Sequence, residues 1–412
     1  MPVPDIERTI LHVDANCFFV SCHLAREPGL AGRPVAVAGD PSRRAGIVLS
    51  ASYEARRSGV RTAMPLAEAL RLCPALRVLQ PDFALYRERS ARLLGLLNEF
   101  TPCVEPFSID EAWLDLTGCQ RSAGGGAAAA FTIRRRLEEE LHLPASIGIS
   151  ENKLLAKMAS GLRKPRGITP LRRADVPLLL WPLPVGDLFG VGPALAARLG
   201  AWNVRTIGDL AALGPAFCER RLGQTGRRLW AAAHGRDDSA VDAEAGGDPK
   251  SVGCAETLGQ DIRTPADARP VLLRLAERVA RRLRERGLVA GAVVVALRDS
   301  QFRDSSRSGL LTSPTDLGPD LFRTAQALAL PRLDGRVGYR LLRITAARLQ
   351  PAAAVIGQPS LFDPLGAAAA LERRRALARA GDAVRERFGD AALVPALLAP
   401  QPSRHPQPRR AG

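Results

Sequence analysis

Apolar and polar positions follow two rhythms along the chain, a short-strand rhythm early and a helical rhythm later. Residues 10–13 form an apolar, partly β-branched run that ends on Asp14 and continues into Asn16, Cys17, Phe18 and Phe19, the pattern of a core strand entering a helix. Runs at 34–38, 46–50 and 146–149 predict further strands. Residues 53–59 predict a short helix stopped by Gly59, and 152–162 a longer one. Residues 107–116 are strand-like around Asp110 and Glu111. Such alternation points to an α/β or α+β domain. From 182 to 235 the texture changes to short helices with tight glycine turns, notably Phe189-Gly190-Val191-Gly192-Pro193 leading into 194–199. Residues 236–248 are polar, acidic and glycine-containing and predict a linker. A further domain starts near Lys250. There Leu272, Leu275, Val279 and Leu283 recur at helical spacing, Arg274, Arg278, Arg281, Arg282 and Arg284 take the other positions, and Gly287 ends the helix. Strands at 292–297 and 340–349 flank a second helix near 320–330, which fits an α+β sandwich with one sheet face free. Beyond 350 the pattern predicts a tail with one amphipathic helix, 371–388.

The chain has 412 residues, 46% hydrophobic and 24% charged, enough to build several cores. No apolar run approaches the roughly 18 residues of a membrane span, and the N-terminal residues lack a signal-peptide pattern. A soluble, cytoplasmic protein is expected. Seven cysteines without a CxxC pair argue against a disulfide framework or a zinc ribbon and for reduced, mostly buried thiols. The 58 Lys plus Arg against 42 Asp plus Glu give a net charge of +16, which favours nucleic acid as partner. Between 251 and 349, 17 Arg face 10 Asp plus Glu, a local excess of +7 that suits a phosphate backbone. Only four basic residues are lysines, and Lys153, Lys157 and Lys164 fall within 12 residues of one another. A compact ammonium suits close approach to a phosphate in a crowded pocket better than a broad guanidinium does.

Three acids interrupt apolar strand patterns, Asp14 and the adjacent pair Asp110 and Glu111. Buried acids need pairing or a cation, and oxygen ligands with no nearby His or Cys suit Mg²⁺ and two-metal phosphoryl or nucleotidyl transfer. Along one continuous strand Asp110 and Glu111 would point to opposite faces, so sharing a site requires a hairpin turn or bulge there. Residues 50–57, with Ser50, Tyr53 and Arg56, follow a strand and could hold a triphosphate at a helix start; an exposed amphipathic helix is the plainer alternative. Neither a Walker A loop nor GxGxxG occurs. Gly190 and Gly192 could offer backbone N–H groups to a DNA phosphate, or simply turn the chain between two helices.

Taken together, HVDANCFF, SASYEARRSGVRTAMP, EPFSIDEAWLDLTG, GISENKLLAKMASGLRKPRG and FGVG, in this order and spacing, resemble the Y-family translesion DNA polymerases, most closely the bacterial polymerase IV type. The resemblance spans residues 8 to 349. It implies an α+β multidomain right hand: palm at 1–30 and 83–170, fingers at 31–82, a helix-hairpin-helix thumb at 171–235, a linker at 236–249, a little finger at 250–350 and a tail at 351–412. It implies that Asp14, Asp110, Glu111 and the Ala15 carbonyl bind two Mg²⁺ ions, with Mn²⁺ as substitute. Phe19 would be the steric gate that excludes a ribonucleotide 2′-OH, with Phe18 beside it. Ser50, Tyr53, Arg56 and Lys164 would contact the triphosphate of a dNTP, and Gly190 and Gly192 the DNA. The peptide Gln358-Pro359-Ser360-Leu361-Phe362-Asp363 resembles the one by which bacterial polymerases dock on the sliding clamp. The implied activity is low-fidelity, template-directed synthesis on primed DNA past damaged bases, without a proofreading exonuclease, by a monomer. Asn16 stands where the polymerase IV type usually has Asp, though the polymerase V type also has Asn there. Leu49 occupies a usually small or polar position over the nascent base pair, which bears on lesion range. A non-catalytic scaffold would lack the carboxylates, and a nucleotide cyclase explains neither FGVG nor the clamp-like peptide.

Overall fold

The computed structural model describes residues 8–40, 46–119, 124–244, 249–354 and 367–398. The chain divides into two compact units, one running to Gly247 and one from Asp248 onward. In the first, strand β1 (Ile10–Ala15) leads to helix α1 (Phe18–Arg26), then β2 (Val35–Ala38), β3 (Val48–Ala51), α2 (Tyr53–Arg57), α3 (Leu66–Leu72), β4 (Arg77–Leu79) and α4 (Phe83–Asn98). There follow β5 (Val104–Pro106), β6 (Glu111–Asp115), α5 (Gly126–Leu141), β7 (Ala145–Ser150), α6 (Lys153–Leu162) and β8 (Ile168–Pro170). Five short helices end the unit: α7 (Val176–Leu179), α8 (Pro193–Gly200), α9 (Ile207–Ala212), α10 (Pro215–Leu222) and α11 (Gln224–Ala233).

The main sheet has the order β5-β6-β1-β7-β8, with β1 antiparallel to both β6 and β7. Alternation along these strands sends Leu11, Val13, Ala112 and Leu114 into a core shared with Leu93 and Leu97 of α4 and Ile133 and Leu137 of α5. The opposite face presents His12, Asp14, Glu111 and Trp113. Helix α6 crosses that face over β7, and Gly148 permits it: a Cβ there would lie 1.9 Å from the Ala156 carbonyl oxygen. The Asn152 side chain caps α6 by accepting from the Leu155 N–H at 2.8 Å and donates to the Gly235 carbonyl at 2.9 Å, tying it to the end of α11. A smaller sheet, β3-β2-β4, closes its own core around Ala36, Val48, Val60 and Ala69 with α2 and α3.

The described part of the predicted linker, residues 236–244, is less open than its composition predicts. Asp237 caps α6 by accepting from the Leu154 N–H at 3.0 Å, and the Asp242 N–H donates to Glu105 at 2.8 Å. Its polar side chains find partners on the first unit, so low hydrophobicity does not leave it unattached.

In the second unit, β9 (Ser251–Ile262), α12 (Pro265–Arg284), β10 (Leu288–Asp299), β11 (Asp304–Thr315), α13 (Gly318–Ala329) and β12 (Tyr339–Pro351) form a sheet of order β11-β10-β12-β9. Helices α12 and α13 pack against it through Leu272, Leu275, Val279, Leu283, Leu321 and Ala325, the helical stripe expected for α12. A Thr264–Asp267 capping box starts α12. Strands β9 and β11 were not legible in sequence. β11 is polar and mostly exposed at a sheet edge, and Glu256 interrupts the apolar alternation of β9 to take Arg274. A last helix, α14 (Ala367–Phe388), carries the predicted 371–388 segment.

No helix among the described residues is long and apolar enough to cross a membrane. None of the seven cysteines forms a disulfide; Cys22, Cys73 and Cys218 are buried, whereas Cys103 is exposed, because it lies in the turn before β5 rather than on a core face.

Candidate active site

The penultimate residue of strand β1, Asp14, lies directly opposite Glu111 of β6, in antiparallel register. Residues on facing positions of neighbouring strands project to the same side of a sheet, so both carboxylates share one face. Asp110 precedes β6, in the hairpin from β5, where the Phe107 and Ser108 N–H groups both donate to the Glu111 carbonyl. That turn removes the conflict expected for adjacent strand residues: Asp110 is outside the pleat, and the Ala15 N–H donates to its carbonyl at 2.9 Å. The Ser108 hydroxyl donates to the Asp110 carboxylate.

Each acid is neutralised or raised by its surroundings. Lys164 Nζ lies 2.6 Å from Asp14 Oδ2, and Lys157 Nζ lies 2.5 Å from Glu111 Oε2. His12 Nε2 approaches Glu111 at 3.2 Å, and its Nδ1 bonds the Ser160 hydroxyl at 2.8 Å. Burial alone would raise Glu111, but hydrogen bonds from His12 and Lys157 outweigh it and pull the carboxyl down to about 2. Burial pushes Asp110 upward; the Ser108 hydroxyl opposes this, while the charges on Asp14 and Glu111 add to the rise. Burial lowers His12, which favours neutral imidazole. With each acid held by its own partner, no cluster of three His, Cys, Asp or Glu side chains is drawn together to hold a metal among the described residues. The donor set nonetheless fits a hard divalent cation: oxygen ligands only, carboxylates on one sheet face, and ammonium groups already drawn to them.

Two of the three clustered lysines therefore depart from the phosphate reading. Lys153 is held by Glu105 at 2.6 and 2.7 Å and sits over the Trp113 ring at 4.5 Å; Lys157 lies over Phe107 at 4.4 Å. Of the three, only Lys164 borders the cavity that also contains Asp14 and Tyr53. A compact ammonium fits between a carboxylate and an aromatic face, which accounts for lysine rather than arginine at 153 and 157.

One cavity of about 250 Å³ gathers nine of the ten residues named from sequence for metal and nucleotide: Asp14, Ala15, Phe18, Phe19, Ser50, Tyr53, Arg56, Asp110 and Lys164. Glu111 does not line it, being turned toward Lys157 and His12. Cys17, with a left-handed backbone at φ 44°, reverses the chain between Asp14 and the two phenylalanines. The Tyr53 hydroxyl is buried without a hydrogen-bond partner, and burial pushes the phenol up to about 12, so it remains a donor. Asn16, Cys17, Thr62 and Leu49 complete the wall. Thr62 was not singled out in sequence, since a lone threonine after a helix carries no signal. Neither was His12, which read as part of an apolar strand. Asn16 donates to the Ser146 hydroxyl at 3.0 Å and accepts from the Arg166 N–H at 2.8 Å, a pairing that uses both ends of its amide.

A second cavity of about 700 Å³ is lined by Phe107, Trp113, Phe189, Gly190 and Arg228. Gly190 has φ 95°, and Gly192 starts α8 outside this cavity. The peptide 358–363 lies outside the described residues.

The impB/mucB/samB family matches residues 13–161, its C-terminal domain residues 249–361, and the IMS family HHH motif residues 173–204. DNA polymerase IV of Moorella thermoacetica is 42% identical over 383 residues, covering 93% of this chain and 94% of that protein. The chain belongs to this polymerase family. DNA polymerase IV 1 of Bacillus subtilis, a second relative of the family member described here, is 41% identical over 87% of this chain and 86% of its own. A Y-family DNA polymerase chimera shares the fold at a TM-score of 0.72 and 23% identity, over 82% of this chain and 98% of that one.

Proposed function

We propose that this member of the family is a template-directed DNA polymerase of the translesion type, joining dNTPs to a primer 3′-OH without proofreading. Supporting this is the convergence of Asp14 and Asp110 with Phe19, Tyr53, Arg56 and Lys164 around one cavity, with Glu111 facing Asp14 from the neighbouring strand. Asp14, Asp110, Glu111 and the Ala15 carbonyl would hold divalent ions, Mg²⁺ with Mn²⁺ as substitute. Such ions, held there, would supply positive charge to the attacking and leaving oxygens of an in-line displacement. The 3′-OH bonds to the α-phosphorus of the dNTP, and pyrophosphate leaves.

Tyr53, Ser50, Arg56 and Lys164 are assigned to the triphosphate; the unpartnered Tyr53 hydroxyl gains its missing acceptor on a phosphate oxygen. Phe19 is assigned as the gate against a 2′-OH, with Phe18 behind it. Gly190 and Gly192 are assigned to the DNA backbone. We read the hand as palm 1–30 and 83–170, fingers 31–82, thumb 171–235, linker 236–249 and little finger 250–350. In the tail, 351–412, the residues Gln358 to Asp363 are assigned to a sliding clamp, which would offset weak intrinsic grip on DNA through effective concentration. A monomer in the cytoplasm completes the reading. Primer extension with Mg²⁺ and all four dNTPs tests it: extension by the wild type, and none by Asp110→Ala/Glu111→Ala that still binds primed DNA, is expected. No extension by either would sink it.

A further inference from the structure

Helix α14 lies C-terminal to every motif used above, yet it is bound to the second unit by ion pairs whose sign reverses along its length. In its first half, Arg374 donates to Asp320 of α13 at 2.7 Å, and Arg375 lies 3.6 Å from Asp316. In its second half, Asp382 accepts two hydrogen bonds from Arg284 of α12, at 2.6 and 2.9 Å. Just beyond the helix, Asp390 accepts from Arg281 at 2.7 Å. The Arg284 side chain is only 7% exposed, so its charge depends on Asp382. Leu377, Val384 and Leu393 face Leu317 and Pro319 across a cavity of about 660 Å³. Reversing the helix would set like charges against each other, so the charge order selects one orientation. A helix this polar has little apolar surface to hold it otherwise.

The chain leaves the sheet at the same end of α12. The Ala352 N–H donates to the Gly287 carbonyl at 2.7 Å, three residues from Arg284. The clamp-like peptide thus lies, in sequence, between two attachments to one helix end.

We propose that residues 367–398 are an electrostatic strap docked on α12 and α13, and that the docked strap anchors the C-terminal side of the clamp-binding segment. This rests on the clamp reading of 358–363. Losing the anchor releases residues 367–398 beside the peptide, and their conformational freedom then opposes its binding, which weakens clamp affinity.

The test uses the full chain as wild type, as Asp382→Arg and as Arg284→Asp/Asp382→Arg, and measures amide hydrogen exchange across 370–388 before any clamp is added. Protection in the wild type is expected to fall about tenfold or more in Asp382→Arg, to recover in the charge swap, and to weaken as salt is raised toward 1 M. Equal protection in wild type and Asp382→Arg, or none in the wild type, would overturn the strap. Titration with the sliding clamp then follows: about threefold to tenfold weaker binding by Asp382→Arg, restored by the swap, is expected. Equal clamp affinity despite lost protection would overturn the anchoring role. Absence of clamp binding by all three proteins would overturn the clamp reading instead, and the exchange data would separate that failure from failure of the strap.

Discussion

Phe19 is stacked on Tyr86, with ring centroids 4.3 Å apart and planes 20° apart. Tyr86 is fully buried on α4, and its hydroxyl is fixed by His23 Nε2 at 2.8 Å. The proposed gate is therefore backed by a fully buried, hydrogen-bonded ring, and its position at the cavity edge is set by a residue 67 positions away in sequence.

Removing the gate ring opens space where a 2′-OH would go. Phe19→Ala is expected to reduce discrimination against ribonucleotides by about tenfold to a hundredfold, read as the ratio of kcat/KM for dNTP and rNTP. An unchanged ratio would remove Phe19 from that role.

Tyr53→Phe separates binding from stability. The hydroxyl has no partner within the protein, so its loss should leave the melting temperature unchanged or slightly higher. KM for dNTP should rise about threefold to tenfold as one phosphate hydrogen bond is lost. A lowered melting temperature with unaltered KM would contradict the assignment.

Lys157→Met leaves Glu111 with His12 as its remaining partner on a half-buried face. Without added metal, unfolding stability should drop by about 3 kcal/mol, because a carboxylate is left under-compensated. Urea denaturation with and without Mn²⁺ checks this: the deficit should shrink as the ion takes up the Glu111 charge, and a deficit independent of Mn²⁺ would argue against Glu111 as a ligand.

Gly148→Ala places a methyl against the Ala156 carbonyl and the Ser160 N–H of α6. A cost of about 3 kcal/mol is expected, with α6 and its lysines displaced. Thermal unfolding and extension rate should fall together, whereas Gly192→Ala, with open space around it, should leave stability nearly unchanged.

Deleting 358–363 should preserve distributive extension on short primed templates and abolish stimulation by the clamp. Full stimulation of the deleted protein would reject the peptide.

Local pattern was enough for much of this protein. The apolar run ending on Asp14, the Leu272-Leu275-Val279-Leu283 stripe and the glycine-bounded helices of 182–235 are legible because strand and helix periodicity depend on residues a few positions apart. Most of the residues that line the cavity of about 250 Å³ were also legible, through motifs that carry their side-chain types in order. Tertiary structure alone decided what each charge meets. Glu111 takes Lys157 and His12, Lys153 takes Glu105, and Arg284 takes Asp382 across 98 positions. It also decided that Asp110 sits in a turn rather than a pleat, and that α14 has a partner at all. Ion pairs and register are relations between elements distant in sequence. They are set by which faces the cores bring together, and no window of neighbouring residues contains that information.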